Sequence, residues 1–318
     1  MIKIDKNLTG NIVPVPSFYK DNLDLDLSRL GKFLEFQINH KVKNFYLAMA
    51  ASEFEFMSES ERLKITKFVS NNRPKNSILI SQPLGSGSIS SQIDEGKRMI
   101  EAGVDALVIK PQPLKENANF FSSKYLMRSY SPERHDNFYI ECLEKITSAI
   151  KKPVIYHDQP FSNGLGLSLE GIKLLMKNRY IKAFKVHTPD PSHLREQYDL
   201  IKMNKLASFD GFGKTLQFWT LQWGATARHS CWSWFEPDID DLFFKSVKNK
   251  NFNTAIEIIN RESPIVKIIR ITGYPGYKYL MKLSGLPFSK SRIPGEKLST
   301  KHMKLIDYAF KKLKKIKI

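Results

Sequence analysis

Residues 153–188 read PVIYHDQPFSNGLGLSLEGIKLLMKNRYIKAFKVHT, with one short apolar run at each end and a longer segment between them. The runs at 153–156 and 181–186 are rich in branched and aromatic residues and predict buried strands. Apolar residues recur at helical spacing over 168–176, which predicts a helix. A strand, a helix and a second strand form a right-handed crossover with parallel strands, so the number of such units decides the fold.

The same alternation of strand and helix extends through the first three quarters of the chain. Six further runs have strand character: residues 11–18, 44–49, 77–82, 106–110, 205–209 and 225–231. Amphipathic helices are predicted between them, for example over 27–39, 58–70, 91–102 and 137–150. These strands and helices together predict an α/β fold, a closed (β/α)8 TIM barrel, because a doubly wound sheet usually stops at about six strands.

The last quarter of the chain has a helical pattern instead. Helices are predicted over 240–248, 253–261, 264–283 and 299–314. We therefore predict a barrel catalytic domain over residues 1–237 and a C-terminal helical region over 238–318 that packs on it. The segment 113–132 is long for a connection between strand and helix, and such loops lie at the active face of a barrel, so we expect it near the substrate.

Composition limits the function classes. The 318 residues are 42% hydrophobic and carry a formal net charge of +18. A positive field attracts anions, but the lysines are scattered and do not interleave with aromatic residues as in a nucleic-acid groove. No apolar run suits a membrane span or a signal peptide, and Cys142 and Cys231 are too few for a disulfide framework. We predict a cytoplasmic protein that binds an acidic small molecule and neither nucleic acid nor membrane.

A lysine stands inside one of the predicted strands. Alternation along 181–186 groups Lys185 with Ala183 and His187, and groups Phe184 with Val186 on the other face. The second face suits the helix layer, so Lys185 is predicted to point into the barrel near the carboxyl end of its strand, where barrel enzymes hold their chemistry. Burial lowers the pKa of a lysine and yields a free amine that can attack a ketone.

A tyrosine stands in the preceding predicted strand. Alternation groups Tyr156 with Val154 and Asp158, and we predict that Tyr156 faces the same space as Lys185. A phenol there can pass a proton to and from a carbinolamine. The alternative is a lysine with an ion-pair partner at a strand end and an ordinary core tyrosine.

At these residues the chain resembles the dihydrodipicolinate synthase and N-acetylneuraminate lyase family of class I aldolases. Further similar motifs follow in the same order: MSESER at 57–62, IEAGVDA at 100–106, the segment 224–237, and RIP at 292–294 followed by LS at 298–299. The resemblance implies a barrel in which Lys185 forms a Schiff base with pyruvate or another 2-keto acid, assisted by Tyr156. It also implies a homo-oligomer, a dimer or tetramer, without cofactor or metal.

The substrate contacts implied by the resemblance depart from the family pattern. MAASE at 49–53 stands where the family has Gly-Thr-Thr-Gly-Glu, so both threonine hydroxyls are missing. Main-chain amides in this segment remain candidates for binding the substrate carboxylate. The predicted substrate-binding residues are Ala50, Ala51, Ser52, His187, Gly211, Gly213 and His229.

Other departures concern the reaction. PQP at 111–113 replaces the synthase's Pro-Tyr-Tyr, Ser162 stands at its arginine, and HDQP at 157–160 has one residue more than the family's Asn-x-Pro. These differences argue against lysine-pathway dihydrodipicolinate synthase. We predict an aldolase or lyase acting on a 2-keto acid such as pyruvate or a keto sugar acid.

Several alternatives remain open. One is a dehydratase of 2-keto-3-deoxy sugar acids, and another is a barrel that binds a keto acid without turnover. A metal-dependent enzyme could use His157, Asp158, His187 and His229, although no HxH or HExxH spacing supports a metal site. A phosphate-binding loop at 85–90 lacks the third glycine of a dinucleotide fingerprint, and we predict no bound cofactor there.

Overall fold

The computed structural model describes residues 4–47, 50–84, 88–110, 132–158, 167–188, 190–293 and 297–315. Strands and helices alternate along these ranges. The strands are β1 (Gly10–Pro14), β2 (Asn44–Leu47), β3 (Ile78–Ser81), β4 (Ala106–Ile109), β5 (Val154–Asp158), β6 (Ile181–Val186), β7 (Ala207–Phe209) and β8 (Ala227–His229). The helices are α1 (Ile4–Asn7), α2 (Leu27–Asn39), α3 (Glu59–Asn72), α4 (Ile89–Glu101), α5 (Pro132–Ile150), α6 (Leu169–Leu175), α7 (Pro191–Met203), α8 (Lys214–Trp223), α9 (Pro237–Lys248), α10 (Phe252–Leu283) and α11 (Thr300–Lys315).

The strands form a barrel. Their order is β7-β6-β5-β4-β3-β2-β1-β8, and all paired neighbours are parallel. Strands β7 and β8 meet through two main-chain hydrogen bonds, from Thr226 N–H to Ser208 O at 2.9 Å and from His229 N–H to Asp210 O at 2.8 Å. The predicted TIM barrel is confirmed, with a C-terminal helical extension.

Local sequence explains where the barrel helices begin. At the start of α3, the Ser58 hydroxyl accepts the Glu61 N–H at 3.2 Å, and the Glu61 carboxylate accepts the Ser58 N–H at 3.0 Å. This reciprocal capping box satisfies two donors that a helix start leaves free. The side chains of Ser88, Ser168 and Asp190 cap α4, α6 and α7 in a similar way.

The C-terminal helices continue from the barrel. Helix α9 follows β8 and contacts β1, so it is the helix of the eighth β/α unit, and α10 and α11 pack against each other beyond it. The predicted helices at 253–261 and 264–283 form one helical stretch that bends at Gly273, where φ is +58°. The division at residue 237 remains a prediction. Within the described ranges, no helix has both the length and the apolar character of a membrane span.

A buried ionic network joins the extension to the barrel. Lys214, at the start of α8, binds Asp240 of α9 at 2.8 Å and Glu262 of α10 at 2.7 Å. Arg228 of β8 also binds Asp240, at 2.7 Å. Buried charges are tolerated only when paired, so this network holds α9 and α10 in place beside the carboxyl end of the barrel.

Candidate active site

Strand register determines which side chains point into the barrel. Lys185 of β6 pairs with His157 of β5 and with Phe209 of β7, whereas Phe184 pairs with Tyr156. Paired residues of parallel strands point to the same face. His157 therefore shares the face of Lys185, and Tyr156 occupies the opposite face.

Contacts across the barrel show which face is the inner one. The Lys185 ammonium lies 3.5 Å from the Tyr46 hydroxyl oxygen and 4.9 Å from the centre of the Tyr46 ring. Tyr46 lies on β2, on the opposite side of the barrel from β6, so this contact crosses the interior. Lys185 thus lies on the inner face, as alternation along its strand predicts.

The prediction that Tyr156 faces Lys185 is wrong. The Tyr156 ring packs edge-on against Phe184, with 6.0 Å between ring centres, and its hydroxyl lies 3.5 Å from Asp158. Asp158 accepts a hydrogen bond from Gln197 of α7 at 2.8 Å, so this face is covered by helices. Burial, and then the charge of Asp158, raises the pKa of Tyr156.

The wrong orientation predicted for Tyr156 has a physical reason, and one feature of the sequence indicates the observed orientation. Alternation shows which residues share a face but not which face points inward, and the register shifts between Val154 and Ile155. That feature is the additional residue before Pro160, relative to the family's Asn-x-Pro. If the run is aligned on Pro160 without an insertion, His157 takes the position of the family's tyrosine.

Lys185 is a buried amine without a counter-ion. Its side chain is only 5% exposed, and no carboxylate of the described residues lies within ion-pair distance. Burial, followed by the positive charge of Lys110, lowers the pKa of Lys185 to about 7. A substantial fraction of the side chain is therefore a neutral amine near pH 7.

Tyr46 supplies the phenol of the site. Its hydroxyl donates to Gln82 Oε1 at 3.0 Å while its oxygen accepts from Lys185. Burial raises the pKa of Tyr46, so the phenol is protonated. The sequence analysis missed Tyr46 because β2 does not alternate between polar and apolar residues. All four of its residues are buried, so their pattern does not indicate which of them point into the barrel.

Two histidines form a chain beside Lys185. The Gly211 N–H donates to His187 Nε2 at 3.1 Å, and His187 Nδ1 lies 2.9 Å from His157 Nε2. Because His187 Nε2 accepts, its ring carries its proton on Nδ1 and donates to His157. The proton of neutral His157 is therefore on Nδ1. Burial, and then the charge of Lys185, lowers the pKa of both rings.

The loop after β7 allows a third histidine, His229, to lie close to His187. A Cβ at Gly211 would lie 2.9 Å from both His187 Nε2 and His229 Nδ1, so only glycine allows this approach. The His229 ring lies 5.3 Å from the Tyr46 ring. Gly213 lies nearby in a backbone conformation with φ of +92°, where it precedes α8.

Residues 50–53, which follow β2, make contacts with the segment after β1 and with α10. Ala51 and Ser52 are buried and Ala50 is exposed. The Ser52 hydroxyl donates to Val15 O at 2.6 Å, so it is not available in this arrangement as a replacement for the missing threonines. Glu53 follows with an ion pair to Lys278 of α10. The amides of this segment remain the predicted carboxylate site.

A cavity of about 550 Å³ opens between the barrel and α10. Predicted substrate residues Gly211, Gly213 and His229 line its barrel side, and Tyr274 and Tyr277 line the opposite side. The cavity is thus lined by three of the seven predicted substrate-binding residues, and Lys185 is not among its lining residues.

Other predicted sites receive less support. Among the described residues, no group of three or more His, Cys, Asp or Glu side chains is arranged to hold a metal ion. Asp158 lies on the opposite strand face from His157, which separates two of the predicted ligands. Residues 85–87 of the glycine loop and 113–131 of the long segment lie outside the described residues.

The sequence model of the dihydrodipicolinate synthetase family matches residues 7–313. The chain belongs to this family. A 4-hydroxy-tetrahydrodipicolinate synthase of Brachyspira hyodysenteriae is 25% identical over 295 residues, which cover 92% of this chain and 93% of the relative.

Solved structures of the dihydrodipicolinate synthetase family share the fold. N-acetylneuraminate lyase from Fusobacterium nucleatum complexed with pyruvate superposes with a TM-score of 0.81 at 18% identity and covers 98% of both chains. YagE, a prophage protein from Escherichia coli K12 in complex with pyruvate, gives a TM-score of 0.81 at 19% identity, covering 96% of this chain and 98% of its own.

Proposed function

We propose that this protein is a class I aldolase or lyase in which Lys185 forms a Schiff base with a 2-keto acid. The observation that carries the proposal is the buried Lys185 amine, with a pKa of about 7, beside the Tyr46 phenol. Membership of a family that includes lyases supports an enzyme rather than a binding protein, and the pyruvate in two related structures supports a 2-keto acid.

The first step is attack of neutral Lys185 Nζ on the ketone carbon. Tyr46 can accept the proton that Nζ loses and donate its own proton to the former ketone oxygen, which gives the carbinolamine and leaves the phenol unchanged. Loss of that oxygen as water, with one further proton, yields the protonated imine. The imine then accepts the electron pair of the bond between carbons 3 and 4 of the keto acid, while the hydroxyl on carbon 4 gives its proton to water and becomes a carbonyl. The products are an enamine on Lys185 and a released aldehyde, and the reverse reaction is condensation.

We assign the substrate carboxylate to the amides of Ala51 and Ser52, and further substrate contacts to His187 and to the cavity residues His229, Gly211 and Gly213. The absence of threonine hydroxyls at Ala50 and Ala51 supports a reaction other than that of the lysine-pathway synthase, on pyruvate or a keto sugar acid. The net charge of +18 suits an anionic substrate.

The oligomer and the location belong to the same proposal. We propose a homodimer or homotetramer in the cytoplasm, on the basis of membership of the family. Light scattering coupled to size-exclusion chromatography tests the oligomer, and a monomer at micromolar concentration would contradict it.

Borohydride trapping tests the Schiff base. The protein is incubated with pyruvate and then with a panel of 2-keto sugar acids, reduced with borohydride, and its intact mass is measured. We expect an adduct on the wild type and none on Lys185→Met. Lys182→Met is the matched control, since Lys182 lies on the same strand and on the opposite face, and it should retain the adduct.

Failure of every keto acid to form an adduct would contradict the proposal. Peptide mapping of the adduct must also locate it at Lys185. An adduct without release of a cleavage or dehydration product from any substrate would instead indicate a keto-acid-binding barrel.

A further inference from the structure

Lys110 is a second buried lysine at the same end of the barrel. It directly follows β4, and its side chain is only 4% exposed. Within the described ranges, no hydrogen bond or ion pair reaches its ammonium group. Burial lowers the pKa of Lys110, and the charge of Glu55 opposes this shift.

His157 is a second donor in need of an acceptor. Its side chain is buried, and its Nδ1 atom has no hydrogen-bond partner among the described residues. The chain from Gly211 through His187 places the His157 proton on this nitrogen. The unpartnered atom is therefore a donor.

The two donors are neighbours on the inner face. Val108 of β4 pairs with Ile155 of β5, and Lys110 and His157 each lie two residues further along their strands. Alternation thus gives them the same orientation on adjacent strands. The charge of Lys110 acts on both His157 and Lys185, as expected for a row of three side chains across β4, β5 and β6.

Two adjacent buried donors that have no acceptor among the described residues destabilise a fold unless a ligand supplies one. We propose that Lys110 and His157 bind a second carboxylate of the substrate, so that this enzyme acts on a 2-keto acid with two negative charges. Each donor would take one carboxylate oxygen. The inference rests on the proposed Schiff base at Lys185.

The position of the Lys110 and His157 site indicates which part of the substrate carries the second carboxylate. The carboxylate next to the ketone is assigned to amides that follow β2, whereas Lys110 follows β4, with β3 between them. Two anion sites on separate strands suit the two ends of one substrate. The second carboxylate then belongs to the part of the substrate beyond the carbon–carbon bond that breaks.

Two probes of equal length isolate the second carboxylate. 2-Oxoglutarate and 2-oxopentanoate both have five carbons, and they differ only in a terminal carboxylate in place of a methyl group. The half-saturating concentration of each is measured by borohydride trapping at pH 7.5 on the wild type, Lys110→Met, Lys110→Arg, His157→Phe and Lys182→Met. The ratio of the two concentrations cancels any effect of a variant on the reactivity of Lys185.

We expect the wild type and Lys182→Met to trap 2-oxoglutarate at a concentration about tenfold or more below that for 2-oxopentanoate. Lys110→Met should reduce this preference to within about twofold, His157→Phe should reduce it in part, and Lys110→Arg should retain most of it. Circular dichroism establishes that each variant is folded, and the wild-type ratio tests the inference even if a variant is not.

The possible failures are distinguishable. Adducts with both acids but no preference in the wild type would overturn the second carboxylate site and leave the Schiff base intact. Equal weakening of both acids by Lys110→Met would also overturn it, since the preference for the second carboxylate would then not depend on Lys110. No adduct with either acid or with pyruvate would overturn the proposed function itself.

Discussion

Lys185 shows how burial and a nearby positive charge make a neutral amine available near pH 7. No carboxylate among the described residues neutralises it, and a second lysine nearby raises the cost of its charged form. Such a residue destabilises the fold while it makes an amine available near neutral pH, a compromise that is common at active sites.

The pH dependence of imine formation follows from this environment. Attack requires the neutral amine, and the pKa of Lys185 is lowered to about 7. We therefore expect the rate of adduct formation to rise as pH increases from 6 to 8 and to level off above that. An exposed lysine would keep rising towards pH 10, and such a profile would contradict the assignment. Lys110→Met should shift the midpoint upwards, because it removes a like charge.

Tyr46 and Tyr156 provide a matched pair for testing proton transfer. Tyr46→Phe removes the hydroxyl beside Lys185, and we expect the rate of adduct formation to fall by roughly 10²-fold. Tyr156→Phe removes a hydroxyl on the helix side of β5, and its rate should stay within about twofold of the wild type. Rapid-quench trapping with borohydride measures both rates. The opposite result would restore Tyr156 as the catalytic phenol.

At the scale of elements, the loop after β7 controls the distance between the histidines. Its Gly211 amide orients His187, and the absence of a side chain leaves room for His187 and His229. A short loop thus determines the protonation pattern of His187, which follows β6, and of His157 on β5.

Gly211→Ala tests this role. The added Cβ would displace both rings, and we expect the trapping rate to fall on the order of 10–100-fold while the protein remains folded. Gly10→Ala is the control, because Gly10 has φ of +82° with open space around a Cβ. That variant should lose about 1–2 kcal/mol of stability without a change in trapping rate. An unchanged rate in Gly211→Ala would show that the histidines are not positioned through this loop.

At the scale of the whole molecule, the C-terminal extension lines the cavity that contains His229. Helix α10 lines the cavity opposite His229, and its Lys278 holds Glu53 in the segment after β2. The network around Lys214 and Asp240 joins this helix to the barrel through buried charges.

Removal of one charge from this network should lower the stability of the fold substantially. Lys214→Met leaves Glu262 without its cation and Asp240 with one fewer, and we expect the free energy of unfolding to fall by about 3–5 kcal/mol. Lys245→Met, which breaks an exposed pair with Asp241, should change it by no more than about 0.5 kcal/mol. Urea denaturation monitored by circular dichroism measures both. Equal effects would contradict a structural role for the buried network.

The whole barrel and the inward orientation of Lys185 could be predicted from the sequence. Apolar periodicity is a local property, so it identified each of the eight strands and the helices between them, and alternation within β6 correctly oriented Lys185. The extent of α10 was less predictable, since the helical stretch continues past Pro264 to its bend at Gly273.

The sequence by itself determined the fold class, the family and the lysine that we propose as the nucleophile. Only the tertiary structure decided which side chains surround that lysine: Tyr46 from β2 and His157 from β5 rather than Tyr156. The physical reason is that side chains alternate with a period of two, so a one-residue shift between strands exchanges their inner and outer faces. That shift is set by pairing with neighbouring strands and is not encoded in the local pattern of any single strand.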